Sequence, residues 1–176
     1  QIGDDPNNWL DEEIDERDLE PYRYPDLDAV ADVGVKALYF GWFFRWSMYD
    51  NYQYVRRAVP GFMTDPKGRT DGTFTDFDSL DDKIDNLYYY MQYVKFGFGR
   101  ATRDACRMIQ NGHMTRAEGL ELARKYDSEF PETYFAENLE YLSLTGEEFS
   151  ETVDLHRNTE LWTRAGNAWQ LRFPLV

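Results

Sequence analysis

Apolar residues recur along much of the chain at the spacing of α-helices. In the first clear case the apolar side chains fall at intervals of three and four: Met48, Tyr52, Val55 and Val59. Residues with this spacing share one face of a helix. The pattern predicts a helix capped by Ser47 and ended by Pro60-Gly61. Residues 61–78, which are rich in glycine, proline, aspartate and threonine, predict a long loop.

Two further helices are predicted on either side of a glycine-rich break. Ser79 begins one of them, with Asp82 at the capping-box position, and Gly97 ends it. The other begins near Arg100 and ends at Asn111-Gly112, a pair suited to a left-handed helix stop. Three shorter helices follow, and each opens on a recognisable start signal: Thr115 with Glu118, Pro131, and Thr145 with Glu148.

Two segments have the pattern of β-strands. Residues 35–46 read VKALYFGWFFRW, which is apolar on both faces and predicts a short strand buried on both sides. Near the end of the chain, LWTRAGNAWQLRF predicts a small hairpin that turns at Gly166-Asn167. The predicted fold is therefore mainly α, with about six helices, one buried strand and a terminal hairpin.

The amino-terminal part differs from the rest in charge. Between Asp4 and Glu20 there are nine acids and one base, with few large apolar residues. We therefore predict that residues 1–25 form an acidic connector or peripheral helix and that residues 26–176 form the helical domain. Because the sequence opens with Gln1 rather than methionine, we interpret it as beginning within a longer polypeptide.

Composition excludes several classes of function. A net charge of −14 disfavours nucleic-acid binding, which requires a basic surface. No apolar stretch approaches the roughly 20 residues that span a bilayer, so we predict no membrane span. The single cysteine, Cys106, excludes an internal disulfide and fits the reducing cytosol, so we expect a cytoplasmic protein. The few Cys and His residues show no metal-ligand spacing, and we predict no metal site.

A small basic segment within this acidic chain is the strongest candidate for a binding site. It contains two glycines that lead into a predicted helix start, where backbone N–H groups and the helix dipole favour an anion. The residues that we predict to bind such an anion are Lys95, Gly97, Phe98, Gly99, Arg100, Thr102 and Arg103. An ordinary amphipathic helix with its arginines in solvent has the same pattern, so both interpretations remain open.

Three further residues are weaker candidates for the same role: Arg107, His113 and Trp46. Each also has a structural interpretation. Arg107 continues the arginine face of the predicted helix, His113 follows a helix stop and suits a surface or capping position, and Trp46 suits a core. The acids are too numerous to nominate a catalytic pair, so no catalytic residue is predicted.

A long ordered series of residues resembles a known enzyme family. The run YVKFGFGRATRDACRMIQNGHMTRAEGLELARKYDSEFPETYF is similar to the carboxy-terminal part of the N-acetyl sugar amidotransferases, which are PP-loop ATPases. The resemblance implies an enzyme of lipopolysaccharide (O-antigen) biosynthesis that converts an acetamido group on a nucleotide-activated sugar into an acetamidino group. It also implies ATP and Mg²⁺ as cofactors, and glutaminase and cyclase-like partner subunits that supply ammonia.

The chain departs from that family in lacking the Ser-Gly-Gly-x-Asp-Ser ATP motif. We therefore expect ATP to bind mainly outside these residues and the chain alone to be inactive. The resemblance and the basic segment together suggest a site for the diphosphate of the nucleotide sugar at Lys95, Arg100, Thr102 and Arg103, with the backbone of 97–99. Alternatives are a non-catalytic domain that docks a glutaminase partner and a free-standing acidic helical protein.

Overall fold

The computed structural model describes residues 5–166 and 168–174, and within them the protein is mainly α-helical, as the sequence predicts. Contacts divide the chain into two compact units between Arg45 and Trp46. The predicted boundary after residue 25 rests on charge and on resemblance, and these contacts do not test it. Within the described ranges no helix is both long and apolar enough to cross a bilayer.

The first unit is built from short elements with aspartate caps. Its helices are α1 (Glu16–Leu19), α2 (Leu27–Val33) and α3 (Phe40–Phe43), with 3-10 turns at Pro6–Trp9 and Glu20–Tyr22. Arg23 binds the carboxylate of Glu16 at 2.5 Å and the amide oxygen of Asn7 at 2.8 Å. These contacts tie the acidic segment together without a continuous helix.

The buried strand predicted over residues 35–46 is wrong. Residues 35–39 have no regular structure, and α3 forms a single helical turn. The side chains are largely exposed, with Tyr39 at 88% and Trp42 at 86%. A strand buried on both faces needs neighbouring strands, and the described residues pair no strand with this segment.

The second unit contains the six helices that the sequence predicts and the terminal hairpin. The helices are α4 (Met48–Ala58), α5 (Asp85–Phe96), α6 (Arg100–Gln110), α7 (Arg116–Tyr126), α8 (Phe135–Leu142) and α9 (Gly146–Leu155). Strands β1 (Trp162–Ala165) and β2 (Ala168–Leu171) pair antiparallel, and Trp162 lies opposite Leu171. Of the predicted turn, Asn167 lies outside the described residues.

The predicted start of α5 at Ser79 is also wrong. Ser79 does not cap the helix, because its φ of +54° places it in the left-handed region. Its hydroxyl lies 3.1 Å from that of Tyr89 instead. Asp82 accepts a hydrogen bond from the N–H of Ile84, and the helix begins at Asp85. The predicted loop therefore extends to Ile84.

The core of the second unit lies between α5 and α9. Leu87 and Val94 of α5 pack with Phe149 and Val153 of α9, and side chains from α8 cover the cluster. Burying each such side chain stabilises the fold by about 1.5–3 kcal/mol. The hairpin packs against this core, where the indole N–H of Trp162 donates a 2.7 Å hydrogen bond to the carbonyl of Val94.

Candidate ligand cleft

The glycine-rich break sets the direction of α6. Gly97 ends α5 with a φ of +76°, and Gly99 precedes the first turn of α6. The backbone oxygen of Asp127 lies so close to Gly99 that an added Cβ would sit 2.7 Å from it. Glycine at 99 is therefore required for close approach of another part of the chain.

A carboxylate from this chain occupies the amino-terminal end of α6. Asp127, just after α7, accepts hydrogen bonds from the N–H of Thr102 at 2.8 Å and from its hydroxyl at 2.5 Å. The N–H of Ala101 donates to the carbonyl of Gly72 at 3.1 Å. The N–H groups of Ala101 and Thr102 at the start of α6 thus have partners within the protein.

Arg100 is buried to 1% exposure and stacks on Tyr89, with its guanidinium carbon 4.7 Å from the ring centroid. It lies 4.0 Å from the carboxylate of Asp104 and donates a hydrogen bond to the carbonyl of Asp78 at 2.5 Å. Its Nε and Nη1 atoms have no hydrogen-bond partner among the described residues. Burial lowers the pKa of Arg100, and the carboxylates of Asp104 and Asp78 oppose that shift.

Arg103 is held by three acidic or phenolic groups. It binds Asp78 at 2.7 Å, Asp104 at 3.2 Å and the hydroxyl of Tyr89 at 2.8 Å. Burial acts to lower the pKa of Arg103, but Asp104, Tyr89 and Asp78 outweigh burial and raise it. The interpretation of a solvated arginine face is therefore wrong for Arg100 and Arg103.

The other residues of the predicted anion site lie apart from the two arginines. Lys95 and Phe98 border a shallow depression at the end of α5, together with Tyr88 and Met91. The Lys95 ammonium lies 5.7 Å from the ring centroid of Phe96. The structure does not bring Lys95 together with Arg103, and the predicted binding of an anion by the whole set stays a prediction.

A cleft lies between the start of α4, residues 75–78 and the outer face of α6. It is narrow, with an accessible volume of about 30 Å³, well below the roughly 300–1,000 Å³ of small-molecule sites. The apolar lining consists of Met48, Tyr49, Phe77 and Met108. The polar lining includes Ser47, Thr75, Asp78 and Asp104, and on the other side Arg107, Asn111 and His113.

Two of the weaker candidates, Arg107 and His113, meet at this cleft. Arg107 is exposed, and its Nη1 lies 3.1 Å from the sulfur of Met48. Within residues 5–166 and 168–174, Arg107 forms no ion pair with a carboxylate, in contrast to Arg100 and Arg103. Trp46 instead lines a neighbouring open groove on the other side of Met48.

His113 joins the loop after α6 to the start of α4. Its Nε2 atom lies 3.1 Å from a carboxylate oxygen of Asp50 and 3.3 Å from the hydroxyl of Ser47. These three residue types also form catalytic triads, but a triad uses both ring nitrogens of the histidine. Because both contacts fall on Nε2, and Ser47 also accepts the N–H of Asp50 as the helix cap, this arrangement is structural.

The loop that forms one wall of the cleft is fixed to the later helices by acidic side chains. Glu129 accepts hydrogen bonds from Arg69 at 2.7 Å and from the N–H of Gly72 at 2.8 Å. Asp71 accepts the N–H and the hydroxyl of Thr133, each at 2.9 Å. Because Thr133 is held in this way, α8 begins at Phe135 rather than at the predicted Pro131.

We expect the Glu129 carboxylate to make stability depend on acid pH. Burial acts to raise the pKa of Glu129, but hydrogen bonds from Arg69 and Gly72 outweigh it and lower the pKa below its usual 4.5. The stabilisation is therefore present above pH 4.5 and is lost as the pH falls through the folded-state value. Glu129→Gln should lower the free energy of unfolding at pH 7 by about 1–3 kcal/mol and flatten the acid dependence.

Urea unfolding between pH 7 and pH 3 measures this effect. The exposed Glu147, for which the described residues show no ion pair or side-chain hydrogen bond, supplies the control variant Glu147→Gln. The control should follow the wild-type curve throughout. If Glu129→Gln also ran parallel to wild type over the whole range, the carboxylate would not have the stabilising role that its contacts indicate.

The helices and the cleft described above define a mainly helical domain with a narrow cleft beside α6. The family described as LPS biosynthesis protein WbpG-like, C-terminal domain, matches residues 71–173. The chain therefore belongs to this family, which links it to lipopolysaccharide biosynthesis. No curated protein sequence gives a significant match. Most of the cleft lining, from Thr75 to His113, falls within the matched range.

Proposed function

We propose that this chain is the carboxy-terminal portion of an ATP-dependent N-acetyl sugar amidotransferase. The full-length enzyme forms an acetamidino group on a nucleotide-activated sugar during lipopolysaccharide (O-antigen) biosynthesis in the cytoplasm. The role of this chain is to bind the nucleotide sugar on the exposed surface of α6 around Arg107. The observation that carries the proposal is that the family match covers α6, including Arg107.

We expect ATP and Mg²⁺ to bind mainly outside this chain. The chain contains no Ser-Gly-Gly-x-Asp-Ser motif. Within the described ranges no three Asp, Glu, His or Cys side chains converge on a common metal position. The amino-terminal end of α6, a natural phosphate position, is occupied by Asp127. We therefore propose that residues outside this chain supply most of the ATP and Mg²⁺ site.

The proposed activity is tested with full-length protein, ATP, Mg²⁺, a nucleotide-activated N-acetyl sugar and ammonium. The expected product carries NH in place of the acetamido oxygen, and mass spectrometry detects this replacement. Arg107→Ala should raise the KM for the nucleotide sugar about tenfold, because it removes a charged hydrogen-bond donor from the proposed binding surface. Arg116→Ala, an exposed arginine on α7, is the matched control and should leave KM unchanged.

Two outcomes of this assay reject different statements. If the wild-type protein forms no amidino product from any N-acetylated nucleotide sugar, the amidotransferase function is rejected. If product forms normally with Arg107→Ala, the function stands and the nucleotide sugar does not bind at the surface around Arg107. A thermal melt of each variant excludes a loss of folding as the cause.

A second candidate function is the docking of a glutaminase partner. The observation that favours it is the exposure of large aromatic side chains in residues 35–46, including Tyr39 and Trp42. Surface aromatics of this kind are enriched at protein interfaces. In the same assay, Trp42→Ala should then impair the reaction supplied by glutamine and spare the reaction supplied by ammonium. Equal rates with both nitrogen sources would reject the docking role.

A further inference from the structure

A small internal cavity lies where four segments of the second unit meet. Two tyrosines of α5 line it together with Gly72 of the long loop, Asn86 of α5, Arg100 at the start of α6, and Asp127 and Glu129 after α7. Its accessible volume is about 10 Å³, which is roughly the space that one water molecule needs. An organic ligand does not fit, so the occupants to compare are a water molecule and a small ion.

Arg100 supplies hydrogen-bond donors that lack a partner. Its side chain is fully buried, and its Nη2 atom donates to the carbonyl of Asp78. Within residues 5–166 and 168–174, Nε and Nη1 have no hydrogen-bond partner. Nε lies on the side of Asp104, at 4.0 Å from its carboxylate, which leaves Nη1 as the donor for the cavity. A buried N–H group without a partner costs free energy, so an acceptor is expected beside it.

The carboxylates that line the cavity have unused capacity to accept hydrogen bonds. The two oxygens of Asp127 accept one hydrogen bond each within the described ranges, from the N–H and the hydroxyl of Thr102. Oε1 of Glu129 accepts one from Arg69. Because each carboxylate oxygen has two lone pairs, these oxygens are able to accept a further hydrogen bond from a molecule in the cavity.

Charge and hydrogen bonding together select the occupant. An anion beside Arg100 would also lie beside two carboxylates, and a cation beside the carboxylates would lie beside Arg100. A water molecule is neutral, accepts through its oxygen and donates through both hydrogens. It therefore joins donors on one side of the cavity to acceptors on the other, as buried waters in proteins commonly do.

We propose that this cavity holds one ordered water molecule, which accepts a hydrogen bond from Arg100 and donates hydrogen bonds to the carboxylates of Asp127 and Glu129. The site does not depend on the proposed function. It links the long loop, α5, α6 and the segment after α7 at one point. It also completes the pairing of a buried cation that the surrounding side chains satisfy only in part.

A high-resolution crystal structure of the protein, grown with bromide in place of chloride, tests the occupant. We expect electron density for one water molecule in the cavity. Its oxygen should lie about 2.7–3.2 Å from Nη1 of Arg100 and from a carboxylate oxygen of Asp127 or Glu129. An empty cavity overturns the proposal. An anomalous bromide peak in the cavity also overturns it, because the position would then belong to an anion.

Oxygen-17 magnetic relaxation dispersion tests the same site in solution, since it detects water molecules that exchange more slowly than the protein tumbles. Asn86, which is 6% exposed, provides the variant. Asn86→Gln lengthens the side chain by one methylene and brings its amide into the space of the water. The dispersion amplitude should then fall by about one water molecule.

Asn8→Gln, the same change at an exposed position, is the control and should leave the amplitude at the wild-type value. Equal amplitudes for wild type and Asn86→Gln would overturn the proposal. Circular dichroism checks that the Asn86→Gln variant folds. Since the crystallographic test uses the wild-type protein, it decides the question even if this variant does not fold.

Discussion

Replacing Asp104 by alanine is expected to lower the free energy of unfolding by about 3–5 kcal/mol, the range seen when one partner of a buried ion pair is removed. Asp104 is 5% exposed and accepts hydrogen bonds from Thr73 at 2.7 Å and from Thr75 at 3.2 Å. It also lies beside two arginines, one of them fully buried. Without Asp104, no carboxylate of the described residues lies within ion-pair distance of the buried Arg100 guanidinium.

Chemical denaturation of matched variants measures this effect. Asp81→Ala removes an exposed aspartate from the loop before α5 and should change stability by less than about 0.5 kcal/mol. The double variant Arg100→Met with Asp104→Leu should recover much of the loss, because it removes both buried charges together. If Asp104→Ala changed the free energy of unfolding as little as Asp81→Ala, the Asp104 carboxylate would not stabilise the buried charge of Arg100.

Replacing Gly99 by alanine is expected to destabilise the protein by about 1–3 kcal/mol, the usual cost of forcing an extra methyl into a packed site. The new Cβ would lie 2.7 Å from the backbone oxygen of Asp127 and 3.0 Å from its carboxylate. Backbone atoms cannot rotate away as a flexible side chain does. The substitution therefore separates Asp127 from Thr102 and uncaps α6.

Gly146→Ala is the matched control for this variant. Gly146 is the first residue of α9, and an added Cβ there meets no atom within 4 Å. Alanine also has the higher helix propensity, so this control should be neutral or slightly stabilising. Thermal unfolding of both variants measures the difference in stability. Equal melting temperatures would mean that the close contact of Asp127 with Gly99 does not contribute to stability.

Helix positions were predictable from the sequence where the signal is local. The capping boxes at Thr115 and Thr145 form as predicted, because both partners lie within one helical turn. The capping box predicted at Ser79 does not form, because Ser79 contacts Tyr89, ten residues later, and adopts a left-handed conformation. The strand predicted at 35–46 failed because β-propensity cannot supply the neighbouring strands that a sheet requires.

The candidate site was only partly predictable. Arg107 and His113, two of the predicted site residues, line one cleft, whereas the binding of a ligand by them stays a prediction. The carboxylates that neutralise Arg100 and Arg103 could not be assigned from spacing, because Asp78 lies on a distant loop. The pairing of Asp104 with Arg100 could have been predicted, because Asp104 lies four residues after Arg100 on the same helix.

The hydrogen bond between Trp162 and Val94 makes the end of α5 depend on the end of the chain. The carbonyl of Val94 lies in the last turn of α5, where backbone oxygens lack partners within the helix. Its donor is synthesised 68 residues later. During translation the Val94 carbonyl has no such donor until Trp162 has been synthesised, so the last turn of α5 gains this hydrogen bond only after α9.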